Sequence, residues 1–459
     1  MTVASVAVAE LGRELAAIAG DAYVCEDAGA LTGFAIDGVR PAMWVLPGSV
    51  EEVAALVRLA NVRHANLTVA GGFTKQSMGS VPGNVDILLR TDRLNRILHF
   101  DPGDLTIGVE AGCRLGDVQR RVAESGLLLP LDAASAQQAT VGGGLATASF
   151  GPLKHGYGGA REYCIGVSFV TGDGRIAKAG GRVVKNVAGY DLMKLMIGSH
   201  GTLGVITSAN FKLFPAPKQT STFVAEFAGC KEAAEFCGVV RRSPLSPICL
   251  EMISPRAHEY VGDSGEAWAV AVQGAGSDAV LGRYRRELSG STKRELAGTD
   301  EERFWRGVRE FAETVAKKHQ NAMVLEVHLR LSAVAELLRA AERAATDNNL
   351  LFACVGRAGI GSLVLALAPL SVDPPSVTQF ANAVAAIRKA MPEDGTSLVA
   401  RCPREAKAYL SVWGRAHTLP AKGESGEGWG ATSNDIEAMR AVKKALDPNG
   451  IMNRGRFLF

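Results

Sequence analysis

The chain has 459 residues, enough for about three domains of roughly 150 residues or two larger ones, and 47% of them are hydrophobic against 21% charged. A net charge of +3 without any long basic run argues against a nucleic-acid partner; the densest cationic patch, Arg283–Glu287, reads as a solvated helix face. The eight cysteines are scattered with no C-x-x-C pair, so their spacing supports neither a disulfide framework nor a zinc or iron–sulfur site.

The opening residues, MTVASVAVAELGRE, read as a short amphipathic helix and not as a signal peptide. No stretch approaches 18 uncharged apolar residues, so no membrane span is expected and the chain reads as cytoplasmic. Residues 47–62 begin with a capping box, Ser49 to Glu52, and continue with Val53, Leu56, Val57 and Ala60 at helical spacing. NLTVA follows as a strand and opens into the turn VAGGFTKQSMGS, residues 69–80, which is built for close approach to a phosphate. VDILLR and DLTIGVEAG read as strands, and RLGDVQRRVAESG as a helix closed by Gly126. Residues 161–180 read as a hairpin turning at Gly172-Asp173-Gly174, and 201–215 as a long strand stopped by Pro215 and Pro217.

From about Lys218 glycine thins out. Strand-like TFVAEF, AWAVAVQG, AMVLEVHLRL and SLVLALAPL alternate with helical patterns over 277–289, 301–319, 332–346 and 376–391. That texture predicts an antiparallel sheet covered by helices. A loop over 421–434 precedes a last helix and the tail IMNRGRFLF.

The 52 glycines exceed the average usage of about 7% and cluster between Gly71 and Gly204. Four glycine-rich stretches, at 69–80, 139–166, 180–207 and 447–457, each beside a strand or a helix start, point to a ligand-wrapping backbone. A Rossmann site is rejected, because Gly142-Gly143-Gly144-Leu145-Ala146-Thr147 lacks the last glycine and follows polar SAQQAT. GDSGE (262–266) reads as a surface loop, and Trp305 as a core residue of an amphipathic helix.

The order of PGSVEEV…ANLTVAGGFTKQSMG, LLPLDAASAQQATVGGGLATASFGP, YGGAREYCIGV, VKNVAGYDLMKLMIGSHGTLGVIT and DPNGIMNRGRF resembles the vanillyl-alcohol-oxidase, PCMH-type FAD-binding family. Within it, the GG-x-T-K loop and KNVAGYDL are most similar to the glycolate oxidase subunits, the E-subunit type above all. The resemblance implies an α+β fold: a PCMH-type FAD-binding domain over 1–217 plus an α+β cap domain over 218–430. Residues 431–459 would then return to the first domain. It further implies FAD held by Gly71, Gly72, Phe73, Thr74 and Lys75 as the pyrophosphate loop, whose N–H groups form an anion nest. Thr140, Gly142, Gly143, Ser149, Gly151, Gly158 and Arg161 match the second wrapping segment. Gly201, Gly204, Val205 and Ile206 match a strand along the cofactor, and Asn453 a C-terminal residue near the flavin. Glu162 and Arg454 replace the family's usual Asp and Pro.

Two departures shape the expected chemistry. The first loop carries Phe73-Thr74 and no histidine, so FAD is expected to be non-covalent. Residues 351–367 correspond to the H-x-G-D-G-N-x-H stretch that binds a metal in the catalytic D-2-hydroxyacid dehydrogenases, yet hold no histidine. No metal site is therefore expected. The substitutes proposed for catalysis are His328 and Arg330, alternating on one face of a strand, with a solvated face or an ion pair as the plainer reading. His155 is a further imidazole placed toward the flavin or in loop packing. The resemblance implies an FAD-binding subunit acting on a small 2-hydroxyacid, beside a second flavoprotein and an iron–sulfur subunit, which would account for any membrane association. A self-sufficient FAD dehydrogenase and a non-catalytic assembly subunit are the alternatives.

Overall fold

The computed structural model describes residues 3–182, 191–370, 377–414 and 433–457. The chain divides into two compact units. One is drawn from Met1–Phe150, Gly159–Ala216 and Ala431–Phe459, the other from Gly151–Gly158 and Pro217–Gly430.

Beside a two-stranded pairing of Leu127–Leu128 with Phe214–Pro215, the first unit is built on two larger sheets. In the smaller, strand Val24–Cys25 pairs antiparallel with Met43–Val45, which runs parallel to Ile87–Arg90, itself parallel to Leu67–Ala70. Parallel neighbours need a crossover, and helix Val50–Val62 supplies it. Ser49 accepts the N–H of Glu52 at 3.1 Å, while the Glu52 carboxylate takes the N–H of Gly48 at 2.8 Å. The helix then buries Val53, Leu56, Val57 and Ala60 against Met43, Val45, Ile87 and Leu89. The second sheet is antiparallel in the order Ile97–Asp101, Thr106–Glu110, Gly204–Lys212, Cys164–Thr171, Ile176–Gly180. The expected hairpin is present, its turn made by Gly174 at φ +82°. Helix Leu115–Ala123 ends three residues before Gly126, which sits at φ +68°.

The second unit is one antiparallel sheet of eight strands. Their order is Thr292–Leu296, Thr220–Phe227, Trp268–Ala275, Cys249–Ile253, Leu350–Arg357, Ser362–Pro369, Met323–His328 and Thr396–Arg401. Its alternating pattern buries both faces. Cys249, Ile253, Ala353, Val355, Ala366 and Ala368 pack with Phe304, Trp305, Val308 and Phe311 on one side. Trp305 is thus core, and its indole N–H donates to Thr222 Oγ1 at 2.8 Å. The helical pattern expected over 301–319 breaks at Glu310 into Gly298–Arg309 and Phe311–Lys318. His258, just before GDSGE, is buried and bonded to Asp263 at 2.7 Å and to the Ala267 carbonyl at 2.9 Å.

One expectation fails here. The strand holding His328 ends at that residue, so Arg330 does not share its face. The cause is the neighbouring turn: the N–H of Leu329 donates to the Gly361 carbonyl at 2.9 Å, and Arg330 opens a short 3₁₀ turn. Its side chain is exposed and lies 3.6 Å from Asp394.

Candidate cofactor site

A pocket in the first unit collects four stretches far apart in sequence: the loop after strand Leu67–Ala70, the segment 133–149, the turn 200–206, and the tail. All the residues expected at the cofactor line it except Gly151, Gly158, Arg161 and Val205. Each exception has a local reason. Val205 alternates with Gly204 and Ile206 along its strand and is buried in the hydrophobic core instead. Arg161 donates to the carbonyl of Ile197 at 3.2 Å. Gly151 and Gly158 belong to the short excursion that is part of the second unit. The KNVAGYDL stretch, at 185–192, lies outside the described residues up to position 190, as does the expected domain boundary at 430.

The first loop presents backbone. The N–H groups of Gly71, Gly72, Phe73 and Thr74 donate to no acceptor among the described residues, which leaves consecutive donors lining the pocket. A side chain at Gly72 would overlap the Gln138 carbonyl, so only glycine lets the loop pass there. Phe73 adopts φ +58°, a region costly for a non-glycine residue. Its ring is held 5.1 Å from Phe34, and the Arg90 guanidinium lies 4.5 Å from the Phe34 ring and 5.9 Å from that of Phe73. Phe73 thus lends the site its main chain, not its ring.

The second stretch is shaped by Thr140, which caps helix Val141–Ala146 through a bond from the Gly143 N–H at 3.2 Å. A Cβ on Gly143 would meet only Thr140 Oγ1, at 3.1 Å; the rest of its surroundings is the open pocket. Asn453, at φ +44°, ties three stretches together. Its Oδ1 accepts the Val69 N–H at 2.9 Å, its Nδ2 donates to the His200 carbonyl at 2.6 Å, and its own N–H reaches Leu67 at 2.8 Å.

Among the lining residues that were not anticipated, two carry charge or titrate, Arg456 and His200. Arg456 is buried, pairs with Asp37 at 2.8 Å, and donates to the carbonyls of Ser80, Gln76 and Met78. The tail therefore holds the first loop from behind. The sequence signal was the second arginine of NRGR, overshadowed by Asn453. His200 stacks on Phe457 at 5.7 Å. Burial first, then the charges of Arg456 and Lys75, push its pKa down to about 4, so the imidazole is neutral at pH 7. No carboxylate lines the pocket among the described residues, whereas Lys75 and Arg456 do. Unbonded amides, two cations and a glycine cradle fit a pyrophosphate-bearing dinucleotide.

Residues 41–180 match the FAD binding domain model, and 216–399 with 429–457 match the C-terminal domain of FAD linked oxidases. The chain belongs to the FAD-linked oxidases. It is an FAD-dependent oxidoreductase with a PCMH-type fold. It is 29% identical to D-2-hydroxyglutarate dehydrogenase of Xanthomonas citri pv. viticola, across 91% of this chain and 89% of that one. It is 27% identical to glycolate oxidase subunit GlcD of Bacillus subtilis, across 90% and 88%. Among solved structures, 4-ethylphenol oxidase from Gulosibacter chungangensis superposes with a TM-score of 0.73 at 17% identity, covering 98% of this chain and 97% of that one.

The residues expected to serve the substrate lie in the second unit. His328 is half-buried, and burial followed by the charges of Lys154 and Arg357 lowers its pKa to about 4. His155 is lowered to about 4 by burial and by Arg241. Among the described residues, no trio of His, Cys, Asp or Glu is placed to hold a metal ion, and no helix is long and apolar enough to cross a membrane.

Proposed function

We propose that this chain oxidises a small 2-hydroxyacid with FAD as the hydride acceptor, as the FAD-binding subunit of a glycolate oxidase type complex. The observation that carries the reading is the length of the two resemblances. A D-2-hydroxyglutarate dehydrogenase and a glycolate oxidase subunit each align over about nine tenths of the chain, through both units. In this reading the Gly71–Thr74 amides and Lys75 hold the pyrophosphate. Asn453 and Arg456 fix the loop that carries those amides. Gly143 leaves the space the cofactor needs, and the absence of a histidine from the first loop favours non-covalent FAD. Of the two residues expected at the substrate, we retain His328. Arg330, exposed and paired with Asp394, is given no part.

The subunit reading adds a second flavoprotein and an iron–sulfur partner. It is supported by the histidine-free stretch 351–367 and by cysteines that are all free, without iron–sulfur spacing. Anaerobic stopped-flow mixing with glycolate, D-lactate and D-2-hydroxyglutarate tests it. The isolated chain should show no rapid flavin bleaching, and activity should appear on co-expression with partner subunits. Rapid stoichiometric bleaching of the isolated chain would instead establish the second reading, a self-sufficient dehydrogenase. That reading is favoured by the D-2-hydroxyglutarate dehydrogenase relative, whose name carries no subunit designation.

A further inference from the structure

Three arginines are buried among the described residues, and two of them hold a carboxylate: Arg357 with Glu251 at 3.0 Å and Arg456 with Asp37 at 2.8 Å. Arg388, the third, is 3% exposed and pairs with no carboxylate among the described residues. It lies near the end of helix Val377–Lys389, on the buried stripe of Phe380, Val384 and Ile387. Helical spacing calls for an apolar residue at that position, so the arginine is a cation set into a core. Its Nε–H donates to Ser397 Oγ at 2.9 Å. Nη1 and Nη2 are buried and have no hydrogen-bond partner among the described residues. Burial lowers the pKa to about 10, which leaves the group a cation at pH 7.

Ser397 belongs to the edge strand Thr396–Arg401, where it is buried and lies opposite Val327, which lies opposite Leu363. Neighbouring positions along a strand face opposite sides. This row is therefore on the other side of the sheet from His328 and from Val364 and Ala366, which pack with Trp305. The Ser397 oxygen accepts from Arg388, and its own proton donates to no acceptor among the described residues. A guanidinium fork and a hydroxyl thus meet as donors without an acceptor. Buried polar groups are satisfied in native proteins. Water would accept these bonds but leave the charge unbalanced, and buried charges persist when they are paired. Nor does the guanidinium escape by losing its proton.

We propose that Arg388 and Ser397 form an internal site of the second unit for a small monovalent anion such as chloride, separate from cofactor and substrate. Nη1, Nη2 and the Ser397 hydroxyl donate to it, and it ties the last turn of the helix to the edge strand. No second charge acts on Arg388, so one negative charge balances the site, which selects a monoanion over phosphate.

The test is thermal unfolding and hydrogen exchange of the FAD-loaded full chain, with sodium gluconate replaced stepwise by sodium chloride. Ionic strength is held constant, so screening does not change. The wild-type midpoint should rise with chloride and amide exchange over 377–401 should slow, because a ligand of the native state stabilises it. Arg388→Met should lose the chloride response. In gluconate it should be at least as stable as wild type, since an unbalanced buried charge gives way to an apolar side chain. Ser397→Ala should keep the response but raise the half-saturating chloride concentration about tenfold, as expected for a lost hydrogen bond to a charged group. Phosphate at pH 8 should act no more strongly than gluconate. A wild type indifferent to chloride, or an Arg388→Met protein that responds as wild type does, would overturn the proposal. An equal response to phosphate would overturn the choice of a monoanion. If Arg388→Met does not fold, Ser397→Ala decides: an unshifted chloride dependence rules the site out.

Discussion

Arg456→Met is the most informative single substitution in the cofactor domain. Methionine preserves much of the packing of the arginine stem but deletes the guanidinium, and with it the bonds to the Ser80, Gln76 and Met78 carbonyls and the pair with Asp37. Asp37 and Arg456 are each only 6% exposed at the side chain, so the buried aspartate loses this ion pair with no water to replace it. Breaking a buried pair in this way costs about 3–5 kcal/mol. For a domain of this size each kcal/mol moves the thermal midpoint by about 2–4 °C, so the first unit should melt roughly 6–20 °C lower. Calorimetry on wild type and variant, with and without added FAD, reads this directly. Flavin content after gel filtration reads the second effect, because the freed loop carries the pyrophosphate donors. Asp37→Asn combined with Arg456→Met should recover a good part of the lost stability but not the flavin. A midpoint within 2 °C of wild type, or a double variant no more stable than Arg456→Met, would refute the argument that the tail clamps the loop.

Gly143→Leu should yield a folded but colourless protein, since its side chain points into open pocket; a yellow Gly143→Leu preparation would show the cofactor lying elsewhere. FAD should leave the protein on acid denaturation, and flavin fluorescence persisting on the band in a denaturing gel would contradict non-covalent binding. His200, whose folded pKa is depressed from 6.5 to about 4, contributes stability that is complete above pH 6.5 and fades as pH falls toward 4. Urea midpoints across that window should therefore depend less on pH in His200→Gln than in wild type, and identical slopes would exclude the assignment.

The cofactor loops were legible because close approach of backbone to ligand admits few residues. Gly72 is glycine because the Gln138 carbonyl occupies the place of a side chain, and Gly143 because it faces open pocket; such positions leave a mark in sequence as glycine runs. Arg456 left only the second arginine of NRGR: its importance comes from carbonyls some 380 positions earlier, which no spacing encodes. Arg330 was misplaced because alternation says where a strand could continue, not where a neighbouring turn captures its amides. Strand Thr292–Leu296 was missed because TKREL is a charged edge, with half-exposed and exposed residues alternating and no apolar run.

Strand Leu67–Ala70 bonds through its backbone to Ile451 and Asn453, so the first glycine loop is anchored by residues made after the whole of the second unit. The eight-stranded unit, by contrast, is closed within Gly151–Gly158 and Pro217–Gly430. During synthesis, at about 5–20 residues per second, that unit has its whole sequence before the first unit has its final segment. Cofactor capture then comes after the second unit: a nascent chain stalled short of Asn453 carries the whole sequence of the second unit and an FAD site that has yet to be assembled.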